Sequence, residues 1–362
     1  MEKKAKKSLL EKDVSIGGVS IDQKVVLVKN LSIMLKAGLT ITEALKINLD
    51  QASGKLKKVL RGVLKSVMSG HSLSESLNRY PRIFTGLLSN IVQAGEISGT
   101  LEENLKNIAQ QLERDKELRA KIKGAMFYPI VVLVAAFLLG IAVTFLVLPK
   151  ITPLFEGLKM DLPITTRVLI FISHAIKDNG VLIFLGLAGF IILTLWLVKR
   201  KFSRPITHYL LLKIPLLGNI TKKTNITRLC GILGILLKSG LNINEALEVV
   251  QKTLNNYYYQ DSINDIVKSV TRGGGIANNL AKYPNLYPKI MVRMIQVGEK
   301  SGKLEEVLFY LADYYNTEVE NSTKSLSNSI EPVLLIIIGL GVGFLALSII
   351  TPIYEITGNV RR

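Results

Sequence analysis

QVGEKSGKLEEV, residues 296–307, decides between two folds. If it is a phosphate-binding loop, the chain is an α/β nucleotide motor. If it is a corner between helices, the chain is helical. A P-loop reads G-x-x-x-x-G-K-[ST]: its glycines let backbone N–H groups wrap a phosphate, its lysine neutralises charge and its hydroxyl holds magnesium. Between Gly298 and Gly302 stand three residues rather than four, and Lys303 is followed by Leu304, which has no metal ligand to offer. The preceding IMVRMIQ lacks the alternation of a strand that would feed such a loop. QAGEISGTLEEN, residues 93–104, repeats the pattern with Thr100 in place of Lys303, so the lysine is not the constant part. The stretch reads as a repeated helical corner.

The repetition extends outward. LSIMLKAGLTITEAL (31–45) and LGILLKSGLNINEAL (233–247) agree at ten of fifteen positions. NRYPRIF (78–84) matches AKYPNLY (281–287), and Tyr128-Pro129 matches Glu331-Pro332 at nearly the same offset. RGGGIA (272–277) takes the place of SGHSLS in the first copy and reads as a connector. Apolar residues recur three or four apart, as Leu31, Leu35, Leu39 and Leu45 do, which is a helical period. Gly38 and Gly240 fall where a helix ends, and Thr40 and Asn242 where the next begins. A helix-turn-helix corner of this kind also suits DNA reading, but attachment to a membrane argues against nucleic acid as a partner.

That attachment is read from three uncharged apolar segments, FYPIVVLVAAFLLGIAVTFLVL (127–148), VLIFLGLAGFIILTLWLV (181–198) and VLLIIIGLGVGFLALSII (333–350). A span needs about 20 apolar residues. The predicted class is an all-α membrane protein with two repeated cytoplasmic helical bundles and three transmembrane helices. In order these are a basic tail (1–20), repeat 1 (21–126), a span (127–148), an extracytoplasmic loop with an amphipathic segment (149–180), a second span (181–198), repeat 2 (199–332), a third span (333–352) and an extracytoplasmic tail (353–362). Orientation follows the basic flanks, Arg114 to Lys123 before the first span and Lys199 to Lys213 after the second, although Arg361 and Arg362 beyond the third oppose it. In the loop, Val168, Ile172 and Ile176 share a helical face suited to lying on the outer leaflet.

The chain of 362 residues carries a formal charge of +18, read as solvated helix faces beside an anionic leaflet. The single cysteine, Cys230, excludes an intramolecular disulfide, and His71, His174 and His208 are too scattered to form a metal set. No cofactor is expected. The spans hold no ionisable group, which argues against ion-coupled transport.

Several residues qualify as interaction or structural sites. Gly95, Gly99, Gly298 and Gly302 serve the corner turn. Glu96 and Glu299 suit either a cap for the helix start that follows or contact with a cation at an interface. Ala136, Gly140 and Thr144, and Gly339 with Gly343, are four apart and admit close helix packing. The charged segment 101–123 and its counterpart from Leu304 lead into spans, with Pro129 and Pro332 placed in the first turn of each span.

Two G-E-x-S-G-x-L motifs, two L-x-x-G-L-x-x-x-x-A-L motifs and three spans together resemble the type II secretion F family, the inner-membrane platform proteins of type IV pilus, type II secretion and competence machines. The resemblance covers roughly residues 25–355. Many members carry a further amino-terminal segment where this chain has its lysine-rich tail. The resemblance implies a protein without catalytic activity and without cofactors, on which pilin or pseudopilin subunits are assembled. It also implies a separate cytoplasmic hexameric ATPase for assembly or retraction, whose pore the helical domains sit in or over. Other inner-membrane components of the machine and further copies of the chain complete the implied partners. The interaction role open to Glu96 and Glu299 is contact with the ATPase or with a cation at a domain interface.

Overall fold

The computed structural model describes residues 19–143, isolated positions from 164 to 197, and residues 200–215 and 217–359. The expected loop and second span, the basic tail up to residue 18, and Thr144 therefore lie outside the described residues, apart from those isolated positions. Among the described residues the chain is helical, with no strand.

Six helices form the first half: α1 (Ile21–Lys36), α2 (Ile41–Gln51), α3 (Gly54–Met68), α4 (Leu73–Asn78), α5 (Gly86–Ser98) and α6 (Leu101–Ala142). After a short helix, α7 (Arg204–Lys213), six more follow in the same order: α8 (Leu217–Lys238), α9 (Ile243–Thr253), α10 (Tyr257–Val270), α11 (Ile276–Leu280), α12 (Lys289–Ser301) and α13 (Leu304–Asn359). The corners expected from sequence are present. Gly38 and Gly240 both adopt φ of +84°, a left-handed conformation that glycine reaches without a Cβ clash. Thr40 Oγ1 accepts the Glu43 N–H at 3.3 Å while Glu43 returns to the Thr40 N–H at 2.9 Å, and Asn242 Oδ1 accepts the Glu245 N–H at 3.0 Å. Each satisfies N–H groups that a helix start leaves orphaned.

The described residues up to Ala120 and from Gly218 to Val319 form one compact unit, so both sets of short helices share a body. Its core is aliphatic in the first half, with Leu45, Leu60, Val63, Ile91 and Ile108 nearly inaccessible. The second half adds two buried tyrosines. Tyr259 donates to the Leu286 carbonyl at 2.7 Å and the Tyr287 and Ser262 hydroxyls meet at 2.7 Å, while burial pushes both phenols well above their ordinary range.

The two copies are not used alike. Leu229 to Leu236 of α8 are buried without interruption, as in a helix at the centre of a body, whereas α1 leaves Val26 and Ile33 exposed. Gly231 marks the difference, because a Cβ there would stand 2.9 Å from Gln111 Oε1 of α6. Its counterpart in α1, two residues before Leu31 as Gly231 is before Leu233, is Lys29, which reaches Glu113 at 3.7 Å on the surface.

The described residues from Lys121 to Leu217 and from Glu320 onward form the second unit. Within it, Lys121 of α6 pairs with Glu320 of α13. Both helices carry an apolar stretch long enough to cross a membrane, and both stretches are almost wholly exposed. One expectation is corrected. Pro129 and Pro332 do not sit in first turns: α6 runs unbroken from Leu101 to Ala142 and α13 from Leu304 to Asn359, with the prolines inside them. Each removes one backbone donor from a continuous helix. The change from charged to apolar residues marks a change of surroundings, and the backbone hydrogen-bond ladder does not stop there.

Candidate functional site

The repeated motif forms two equivalent corners, α5 to α6 and α12 to α13. The second glycine of each ends its helix, Gly99 and Gly302 both at φ of +72°. In the second corner the Lys303 N–H donates to the Gly298 carbonyl at 3.0 Å, while the exposed Lys303 ammonium lies 3.6 Å from Glu306. The N–H that a P-loop would turn towards a phosphate is thus engaged in closing a helix.

The first glycine has a different task. A Cβ on Gly95 would lie 2.8 Å from the Leu101 Cα, and one on Gly298 would lie 3.1 Å from the Leu304 Cα. A bare Cα lets the end of one helix lie against the start of the next. The serine of the motif folds back on its own helix, Ser98 Oγ donating to the Ala94 carbonyl at 2.7 Å.

Glu96 and Glu299 do cap a helix start, but not the one that follows them. Glu96 accepts the Leu73 N–H at 2.5 Å, the Ser74 N–H at 3.1 Å and the Ser74 hydroxyl at 2.6 Å, all at the start of α4. Glu299 accepts the Ile276 N–H at 2.5 Å and the Ala277 N–H at 3.0 Å, at the start of α11. Each carboxylate thereby ties α5 or α12 to the short helix before it, and its negative charge meets the positive end of that helix. In the first copy Ser72 also caps α4, through the Glu75 N–H at 3.1 Å. In the second copy Gly275 replaces Ser72, so Glu299 acts without help from a side chain at the N-cap. The glycines expected to line membrane contacts are uncrowded: a Cβ at Gly140, Gly339 or Gly343 would meet nothing within 4 Å.

Sequence reasoning missed the seam between the copies. Arg228 of α8 is buried, and its guanidinium lies 3.1 Å from Asp115 of α6. Gln111 reaches the same carboxylate at 3.5 Å. Arg114 with Asp313 at 2.9 Å and Lys238 with Glu103 at 3.1 Å add two exposed pairs across the seam. The exposed pairs contribute little, roughly 0–1 kcal/mol each. Loss of one partner from a buried pair costs about 3–5 kcal/mol. The only sequence signal is a cation immediately ahead of the apolar run of α8, and nothing local points from it to Asp115. A cavity of about 410 Å³ opens beside this pair, and a second of about 530 Å³ lies between α5 and α9.

Paired six-helix copies with long apolar extensions define a duplicated helical membrane protein whose repeated motif holds helix ends together. Comparison with known proteins agrees. The model of the family "Type II secretion system (T2SS), protein F" matches twice, at residues 27–149 and 229–352, and the chain belongs to that family. It is 32% identical to the type IV pilus assembly protein PilC of Thermus thermophilus over 92% of this chain and 82% of the relative. Its identity to PilC of Myxococcus xanthus is also 32%, over 98% and 86%. With the type II secretion system protein F of Aeromonas hydrophila it shares 32% over 95% and 89%.

Proposed function

We propose that the chain is a non-enzymatic inner-membrane platform of a type IV pilus assembly machine, coupling a cytoplasmic hexameric ATPase to pilin polymerisation. The observation that carries this reading is the continuity of α6 and α13, each of which begins in the packed helical unit and runs on into an apolar stretch. An engine acting on the short helices would have two stiff levers to work through. Similarity to two PilC proteins over almost the whole chain supports the choice of machine. The same chain is as similar to a type II secretion protein F, which favours the equivalent pseudopilus platform as the second reading.

In this reading three spans, at 127–148, 181–198 and 333–352, leave both helical domains (21–126 and 199–332) in the cytoplasm and the 149–180 loop and the tail outside. The stripes of Ala136, Gly140 and Thr144, and of Gly339 and Gly343, pack against spans of the same chain or of a second copy. The test is complementation of a strain that lacks this chain but retains its pilus and secretion genes. Restored surface pili support the first reading and restored export of a secreted protein without pili supports the second. A chain that inserts at normal levels and restores neither overturns both. The purified protein is expected to hydrolyse no ATP, and turnover abolished by Lys303→Ala would reverse the non-enzymatic assignment.

A further inference from the structure

Among the described residues, the cavity beside the Asp115–Arg228 pair is lined by more cations than acids. Its described wall includes Lys24 of α1, Arg119 of α6, and Arg228 and Lys252 of α8 and α9, with Asp115 as the carboxylate among them. That carboxylate is engaged by Arg228, and the nearest other acid on α1, Asp22, is held by Lys116 at 2.7 Å. Lys24 is half-buried, and its ammonium is pushed below the ordinary range first by burial and then by the neighbouring Arg119. Arg119 is exposed, so water screens part of its repulsion of half-buried Lys24. An anion between them reverses the sign.

Neutral donors line the same cavity. Thr85, Gly86, Leu87 and Leu88 form the start of α5 and line the cavity, and no side chain caps that start. The first N–H groups of a helix bind oxyanions through fixed dipoles, and here they share a cavity with the cations. Asn90 and Asn255 also line the cavity. A volume of about 410 Å³ is within the range of small-molecule sites and takes a phosphate with a modest substituent. Convergence of lysine, arginine and helix-start donors fits the tetrahedral oxygens of phosphate.

We propose that this inter-repeat cavity is a binding site for a phosphate-bearing anion, gripped by Lys24 and Arg119 against the start of α5. Its occupant comes from one of two sources with the same chemistry: a soluble phosphate compound or the headgroup of an anionic phospholipid. Arg119 stands eight residues ahead of the apolar run that begins at Phe127 on the same helix. Because the wall is drawn from α1, α5, α6, α8 and α9, an occupant would clamp the two copies together and stiffen the body from which α6 and α13 extend.

The test uses the full chain in lipid nanodiscs and the double variant Lys24→Gln, Arg119→Gln, which leaves the Asp115–Arg228 pair intact. Lys36→Gln, Lys55→Gln on the exposed surface is the control. Sodium pyrophosphate is titrated, at matched ionic strength, into nanodiscs of phosphatidylcholine, and binding is followed by phosphorus NMR line broadening and by melting temperature. In parallel, melting is compared between phosphatidylcholine and phosphatidylglycerol nanodiscs. Saturable pyrophosphate binding that weakens about tenfold or more in the double variant, and not in the control, identifies a soluble phosphate compound. No pyrophosphate effect, but a melting gain in phosphatidylglycerol that only the double variant loses, identifies the lipid headgroup. Without either ligand the double variant is expected to melt no lower than the wild type, since it removes a repulsion. A lower melting temperature there, or equal responses of the wild type and the double variant to both ligands, overturns the proposal.

Discussion

Within the G-E-x-S-G-x-L motif four residues perform three separable tasks, and substitutions should rank them. A Cβ at Gly95 lands on the backbone of Leu101, which cannot rotate away, so Gly95→Ala is expected to cost about 1–3 kcal/mol by overpacking. Gly99 has open space around it, and Gly99→Ala pays only for its left-handed backbone, about 1 kcal/mol. Glu299→Ala removes the acceptor at the start of α11 and should cost about 1–2 kcal/mol, as other cap deletions do. Glu96→Ala should cost at least as much, because it orphans the Leu73 and Ser74 N–H groups and the Ser74 hydroxyl while Ser72 serves a different donor, the Glu75 N–H. Melting temperatures of the four purified variants check the order, and a Gly99→Ala protein less stable than Gly95→Ala would contradict the division of roles. The identity of these residues was legible in the sequence because the motif occurs twice. The target of the carboxylates was not, since Leu73 and Ile276 stand 23 residues before their partners and no local periodicity connects them. The helix that follows a glutamate is the nearest start in sequence; in the fold the short helix behind it is nearer.

At the level of elements, the sequence was a good guide to corners and a poor guide to continuity. Gly38 with Thr40 and Gly240 with Asn242 announce stops and starts through residues that only such positions favour. Proline was misleading in α6 and α13, where it lies inside a helix whose remaining hydrogen bonds hold the rod together. Between the charged and apolar parts of α6 stands Gly124, helical and with no neighbour within 4 Å of where its Cβ would be. Glycine in a helix interior is less stable than alanine by about 1 kcal/mol, so this turn, together with the one that holds Pro129, is a soft point of the lever. Gly124→Ala should therefore raise helix stability and leave filament assembly intact if α6 transmits movement. Changing Ile122 and Lys123 to glycine makes three in a row, and if the chain is the proposed ATPase-coupled platform this should abolish filament extension while insertion in the membrane and ATPase binding persist. Pilus counts and co-purification of the ATPase read the two outcomes. Normal filament extension with three glycines in place would reduce α6 to a tether.

For the whole molecule, the duplication could be read from sequence but its use could not, because the seam depends on what the copies do not share. Arg228 occupies the position that Val26 holds in the first copy, five residues before Leu233 and Leu31 respectively, and Gly231 that of Lys29. The second set of residues builds a buried face and the first an exposed one. The proposed topology puts both copies on one side of the membrane, and the single compact unit formed by the described residues up to Ala120 and Gly218 to Val319 supports that reading. In the same proposal the basic flanks assign that side to the cytoplasm, which requires two crossings between the copies. Thiol labelling of intact cells examines this directly, and the chain suits it: Cys230 is fully buried and burial pushes its thiol far above the ordinary range, so the native background should be negligible. Single cysteines at Asp161 and Asn359 are expected to react with an impermeant maleimide from outside, and those at Ser53 and Asn255 only after the membrane is opened. Reaction at Asn255 with protection at Asn359 would invert the orientation, and the ATPase would have no helical domain to engage. Protection at Asp161 with reaction at Asn359 would remove the paired crossings and leave one span, at α13, to carry the platform.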